Sequence, residues 1–206
     1  MSDTKLCPYC GEEIKAIAIK CKHCGSMLEE TTQPAGDTFT QVQQTLGDKY
    51  EIKEEIGKGG MAVVYKAVQK SLNRPVALKV IHQNLVHDEE FLRRFHREAK
   101  VGASLNHSNI VTIFDVGNVG HIHYMSMEYL DGSDLQRYSQ LKGPLSIEET
   151  SRIIVPVSSA LDHAHKNEII HRDIKTPNIF VTREGASMIT DFGIAHAASG
   201  TKLTKT

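Results

Sequence analysis

Toward its C-terminal end the chain reads His171-Arg172-Asp173-Ile174-Lys175-Thr176-Pro177-Asn178, and a short hydrophobic stretch later Asp191-Phe192-Gly193. Asp173 offers a carboxylate that could orient a hydroxyl and take its proton. Lys175 offers a cation for a charged phosphoryl group. Asn178 and Asp191 offer side-chain oxygens, the donors Mg2+ prefers; it takes few from protein and leaves the rest to phosphates and water. A base, a cation and two hard-metal ligands in one segment are the parts that move a phosphoryl group from ATP to an alcohol. A lone Asp-x-Lys is usually a surface ion pair, so the reading rests on what accompanies it.

Three further groups precede it. Gly57-Lys58-Gly59-Gly60-Met61-Ala62-Val63-Val64 lies between two predicted strands, where backbone N–H groups can approach phosphates unobstructed. Val76-Ala77-Leu78-Lys79 ends an apolar strand in a lysine, and an inward lysine needs an anion because an unpaired buried charge is costly. Glu98 is the expected partner, since it shares the apolar helix face of Phe91 and Phe95, where a lone carboxylate would be equally unwelcome. A solvated pair between Glu98 and Arg94 is the alternative. Met125-Ser126-Met127-Glu128-Tyr129-Leu130 is a strand that enters a polar turn.

In this order the motifs resemble the eukaryotic-type serine/threonine protein kinases of bacteria, over roughly Tyr50 to Thr206. The resemblance implies an α+β, protein-kinase-like fold: a small antiparallel-sheet lobe with one helix, then the first part of a helical large lobe. It implies ATP with Mg2+ as cofactor and proteins with Ser or Thr acceptors as substrates. By resemblance, Gly57, Lys58, Gly59, Gly60, Met61 and Ala62 belong to the ATP-binding loop. Val64 covers the adenine, and Ala77 joins the same pocket. Lys79, paired with Glu98, reaches the α/β-phosphates. Met127 is the gatekeeper, the Glu128 carbonyl and Leu130 amide face the base, and Phe180 forms the floor. Asp173 and Lys175 are catalytic, and Asn178 and Asp191 hold Mg2+. Ala62 stands where the family has a third glycine, and Thr176-Pro177 inverts the commoner order. Lys175 favours a Ser/Thr over a tyrosine kinase. Arg172 implies activation by a loop phosphate, which an arginine can grip. Small-molecule phosphotransferases of this fold typically lack such an arginine and rank lower.

The elements that must carry these groups are legible in outline. Tyr50–Ile56, Ala62–Val68 and Pro75–Ile81 are predicted strands, and Asp88–Leu105 a helix with Phe91, Phe95, Gly102 and Leu105 close to one face. Strands at Ile113–Val116 and His121–Glu128 are split by a Gly117-Asn118 turn. Ile147–Lys166 is a long helix in which Pro156 could mark a kink. Its apolar face expects partners that later large-lobe helices would supply.

The tail after Gly193 resembles the first half of an activation loop and offers Ser199, Thr201, Thr204 and Thr206 as phosphate acceptors. The family domain needs roughly 250 residues, a normal domain size, and fewer follow Tyr50. The expectation is therefore an incomplete or interrupted kinase, active when whole and inactive as this chain. The alternative is a short product that binds nucleotide or partner proteins without catalysis.

All four cysteines precede residue 25, as Cys7-Pro8-Tyr9-Cys10-Gly11 and Cys21-Lys22-His23-Cys24-Gly25. Two such turns suit a tetrahedral structural Zn2+ held by Cys7, Cys10, Cys21 and Cys24, with nearby lysines offsetting the thiolate charge. A redox pair would need a βαβ frame, which so short a unit cannot supply. Residues 1–28 are read as this zinc ribbon, 29–49 as a flexible linker rich in Thr and Gln, and 50–206 as the kinase domain.

With 24 basic and 25 acidic residues the chain lacks the basic excess of a nucleic-acid binder, and no nucleic acid partner is expected. No signal peptide and no apolar run of membrane-spanning length appears in it, so the cytoplasm is the expected location.

Overall fold

The computed structural model describes residues 4–6, 12–15, 22–23 and 38–192; the side chains of residues 4–6 and of Glu98 fall outside that description. The four cysteines, Gly193 and the acceptor candidates Ser199, Thr201, Thr204 and Thr206 also lie outside the described residues. Backbone contacts divide the chain into two units, 1–41 and 42–206.

In the first unit, Thr4–Leu6 (β1) pairs antiparallel with Glu13–Lys15 (β2), Thr4 opposite Lys15 and Leu6 opposite Glu13, and Ile14 is buried. Cys7 and Cys10 fall in the sequence that joins these strands. The segment expected to be a flexible linker over 29–49 contains a helix, Thr38–Leu46 (α1). The expectation misses it because the composition is polar on average. Val42 and Leu46, one helical turn apart, nevertheless form an apolar stripe, and both are fully buried.

Alternating and β-branched residues build the small lobe. Tyr50–Lys58 (β3), Ala62–Gln69 (β4) and Arg74–Ile81 (β5) form an antiparallel meander. Ile113–Val119 (β6) and Ile122–Glu128 (β7) complete a five-stranded sheet of order β3-β4-β5-β7-β6. Gly117 and Asn118, expected in a turn, are paired with Tyr124 and His123 instead. The reversal occurs at Gly120, whose φ of 57° is the left-handed conformation the tight turn requires. Between β5 and β6, Glu89–Ala103 (α2) is capped by Asp88, whose carboxylate accepts the Phe91 N–H. Phe91, Phe95 and Ala99 on its inner face pack with Ala77, Met125 and Met127 of the sheet. Burial of each phenylalanine contributes roughly 2–3 kcal/mol.

The large lobe begins with Gly132–Asp134 (β8) and Leu135–Lys142 (α3), whose N-terminus Asp134 caps. Ile147–Lys166 (α4) matches its predicted bounds and runs on through Pro156; Ser146 caps it, and Ile153, Val157, Ala160 and Ala164 form its buried face. Ile154 and Val155 remain exposed. Ile179–Thr182 (β9) and Ser187–Ile189 (β10) pair with β8 in a three-stranded sheet, order β10-β9-β8. Val111 donates to Ile189 at 2.9 Å and Ile189 to Asn109 at 2.8 Å, so the segment after α2 is anchored on β10.

Candidate active site

Between the two sheets lies a cavity of about 380 Å3. Gly57 and Val64 reach it from the first hairpin, Ala77 and Lys79 from β5. Met127, Glu128 and Leu130 enter at the end of β7, and Phe180 and Asp191 from below. Alternation puts Ala77 and Lys79 on one face of β5, and the register sets them opposite Met127 and Met125 of β7.

Lys58, Gly59, Gly60, Met61 and Ala62, expected over the phosphates, do not line this cavity. Gly59 and Gly60 form the hairpin tip, where the Gly59 N–H donates to the Ala62 carbonyl at 2.9 Å. Ala62 is buried among the small-lobe apolar residues and Met61 packs against the same group. Ala62 is absent from the residues with positive φ, so the missing third glycine leaves this backbone unstrained. One unanticipated residue holds the tip: His82 Nε2–H donates to the Gly59 carbonyl at 2.8 Å, and the His82 main-chain N–H donates to the Met61 carbonyl at 3.0 Å.

Lys79 Nζ lies 2.5 Å from Asp191 Oδ1, with the lysine side chain largely buried and the carboxylate about one third exposed. The side chain of the expected partner, Glu98, lies outside the described residues, although its backbone is placed in α2. Arg94, the alternative partner for Glu98, sits 3.6 Å from Glu90.

Asp173, Lys175 and Asn178 meet in one cluster at the lower edge. Asn178 Nδ2 donates to the Asp173 carbonyl at 2.8 Å and to its carboxylate Oδ2 at 2.9 Å; Lys175 Nζ stands 2.8 Å from the same Oδ2. The Lys175 ammonium, aided by the Asn178 amide, holds the Asp173 carboxyl below the usual range. A carboxylate so supported is a weak base, suited to orienting a hydroxyl more than to stripping its proton early. Thr176–Asn178 forms a single 3-10 turn, and the Thr190 N–H donates to the Asn178 carbonyl at 3.0 Å, tying this cluster to the strand that leads to Asp191.

Two positions of the expected motifs carry positive φ without being glycine: Arg172 at 66° and Asp191 at 59°. Such backbone costs on the order of 1–3 kcal/mol and persists where its surroundings enforce it. His171 is part of that enforcement. Its Nε2–H donates to the Thr190 carbonyl at 2.9 Å, its Nδ1 accepts the Asp173 N–H at 3.3 Å, and its ring lies 4.6 Å from that of Phe192. Burial pushes its pKa below the ordinary value.

The donor set suits Mg2+. The Asn178 nitrogen is spent on Asp173, which leaves its amide oxygen as the acceptor, and Asp191 has a second oxygen beyond the one facing Lys79. Sequence reasoning missed Ile56, Val111 and Arg137, which also line the cavity. Ile56 could have been found from strand alternation into Gly57; Arg137 sits on a helix that was not foreseen.

A five-stranded lobe with one helix, set over a helical lobe and enclosing a Lys–Asp pair, defines a protein-kinase fold. Residues 50–206 match the protein kinase domain family, and the chain belongs to that family. It is 44% identical over 165 residues to the serine/threonine-protein kinase PrkC of Bacillus subtilis, covering 80% of this chain and 26% of that protein. To the serine/threonine-protein kinase PknB of Mycobacterium tuberculosis it is 40% identical over 167 residues, covering 78% of this chain and 27% of that protein. The crystal structure of the Mycobacterium tuberculosis PknI kinase domain superposes with a TM-score of 0.64 at 32% identity, covering 71% of this chain and 60% of that one. The chain thus spans about a quarter of the length of its curated relatives.

Proposed function

We propose that the protein transfers the γ-phosphoryl group of ATP to serine or threonine hydroxyls of proteins. The observation that carries this reading is the meeting of three segments: Lys79 and Asp191 pair inside one cavity, and the loop that holds Asp173 and Asn178 is tied to the strand leading to Asp191 by the Thr190–Asn178 hydrogen bond. Family membership and the names of the relatives support it.

In this reading the adenine enters between Val64 and Ala77 above and Phe180 below, against the main chain from Glu128 to Leu130. Lys79 meets the α/β-phosphates and exchanges part of its contact with Asp191 for them; Glu98 is its proposed second partner. Asn178 and Asp191 would hold Mg2+, which supplies charge neutralisation on the phosphates when bound. Asp173, kept ionised beside Lys175, aligns the acceptor hydroxyl toward the γ-phosphorus and receives its proton as the new P–O bond forms and the bond from the γ-phosphorus to the β,γ-bridging oxygen breaks, with ADP as the leaving group. Lys175 offsets charge on the moving phosphoryl. Catalysis here is chiefly positioning, which is why the cluster is so fully cross-bonded.

Residues 1–28 are proposed to form a zinc ribbon through Cys7, Cys10, Cys21 and Cys24. The β1–β2 hairpin flanking the first cysteine pair supports that reading. Among the described residues no helix is long and apolar enough to cross a membrane; a cytoplasmic site of action, where ATP is available, is part of the proposal.

Calorimetric titration of Mg-ATP into the chain tests the nucleotide site. Saturable binding that weakens tenfold or more in Asp191→Asn is expected; equal binding by the variant contradicts the assigned role. Phosphoamino acid analysis of a substrate labelled by the full-length protein tests acceptor class, with phosphoserine or phosphothreonine expected and phosphotyrosine alone contrary. Elemental analysis should find one zinc, lost on Cys→Ser change at these four positions; zinc-free protein would refute the ribbon.

A further inference from the structure

The cavity continues past the proposed nucleotide position. A second groove, about 450 Å3, adjoins it along α3, and the two share Asp134, Arg137 and Pro177. Since α3 packs on the Thr176–Asn178 turn, this groove leads away from the segment that carries Asp173 and Lys175. A polypeptide presenting a hydroxyl to Asp173 would run its neighbouring residues past this place.

The charges along that path are few. Lys79, the other cation of the nucleotide cavity, is taken by Asp191. Asp134 is the acid of the groove, and its Oδ1 accepts the Arg137 main-chain N–H at 2.9 Å as the cap of α3. Gln136 and Gln140 are neutral. Arg137 has an exposed side chain, and among the described residues it makes no ion pair. An unpaired guanidinium on a groove wall presents a planar fork suited to a carboxylate.

We propose that Arg137 is a specificity residue that reads an acidic side chain flanking the phosphoacceptor, so that the preferred substrates are Ser or Thr sites with Asp or Glu nearby. This rests on the kinase reading above. ATP phosphates are the competing anion for the same side chain, and the test separates the two.

The full-length protein is assayed on three matched peptides that differ only at flanking positions, bearing Asp, Ala or Lys, with peptide and ATP kinetics both measured. The acidic peptide is expected to be favoured over the neutral one by roughly twofold to fivefold in kcat/KM, mainly through KM, as an exposed charge pair allows. Arg137→Ala should bring that ratio close to one, and Arg137→Glu should shift preference to the Lys peptide. Absence of an acidic preference in the wild type, its survival in Arg137→Ala, or an effect confined to KM for ATP overturns the proposal. Failure of the kinase reading looks different: no Asp173-dependent labelling of any peptide, the neutral one included, which overturns both.

Discussion

Lys79 Nζ and Asp191 Oδ1, 112 residues apart in sequence, stand 2.5 Å from each other across the cleft. The lysine side chain is only 11% exposed, so neutralising the aspartate deprives a poorly hydrated ammonium of the Asp191 anion. Asp191→Asn should therefore destabilise the nucleotide-free protein by about 1–3 kcal/mol. Lys79→Met should have a comparable effect, and the double variant should recover part of the loss, because an apolar replacement removes the unpaired ion. Denaturant unfolding of the four proteins measures the coupling; strictly additive losses would contradict the pair.

His171 makes folding sensitive to acid. Burial lowers its pKa from the ordinary 6.5, against the raising influence of the Thr190 carbonyl and of Asp191 and Asp173. A depressed folded value means the histidine's contribution is fully present above its unfolded pKa and is lost as pH falls through the folded one. His96 and His123, also depressed by burial, act in the same direction. Protonation at Nδ1 would also remove the acceptor for the Asp173 N–H. The expected result is a fall in stability from about pH 7 to about pH 5 that is shallower in His171→Asn, read from urea midpoints. An unchanged acid slope in that variant would contradict the role of this histidine.

Gly102 lies inside α2 against Phe192. A Cβ there would meet the Ile113 Cδ1 methyl at 3.0 Å and the Phe192 Cβ at 3.8 Å, one a flexible side-chain end and the other an ordinary contact. Alanine would gain about 1 kcal/mol of helix propensity against a small shift of Ile113. Gly102→Ala should raise the melting temperature by roughly 2–4 °C, whereas Gly102→Leu should lower it by displacing Phe192. Differential scanning calorimetry of both variants decides; a destabilised alanine variant would show that Ile113 cannot yield.

His82 acts through the glycine-rich hairpin, whose tip it grips at the Gly59 carbonyl. His82→Ala should raise KM for ATP about threefold to tenfold, in line with the loss of one net hydrogen bond, with kcat changed less. His82→Gln, which keeps a donor, should recover part of the affinity. An unchanged KM in the alanine variant would make this contact incidental.

The sequence exposes the strands of the small lobe because Tyr50, Ile52, Val76, Leu78 and Val80 alternate with residues of the other face, and it exposes α4 because Ser146 and a 3.6-residue apolar period mark its course. It conceals α1 and α3, which are mostly polar and hold only one or two buried aliphatics each. The β6–β7 turn was misplaced because Gly117 and Gly120 both look like turn residues, and only cross-strand register distinguishes them. At the site, motif residues could be read from spacing. Arg137 and His82 could not, since their relevance depends on which elements come to lie beside the cavity.

The most direct measurement is the single-turnover rate of phosphoryl transfer from radiolabelled Mg-ATP to a protein substrate by the full-length enzyme, wild type against Asp173→Ala. Asp173 is held by Asn178 and Lys175 in the geometry proposed to align the acceptor. Its removal is expected to slow transfer by several powers of ten, since positioning supplies most of the acceleration in this reaction class, while Mg-ATP affinity stays within a few-fold. Equal rates for the two proteins, or label transferred to neither serine nor threonine, would contradict the account.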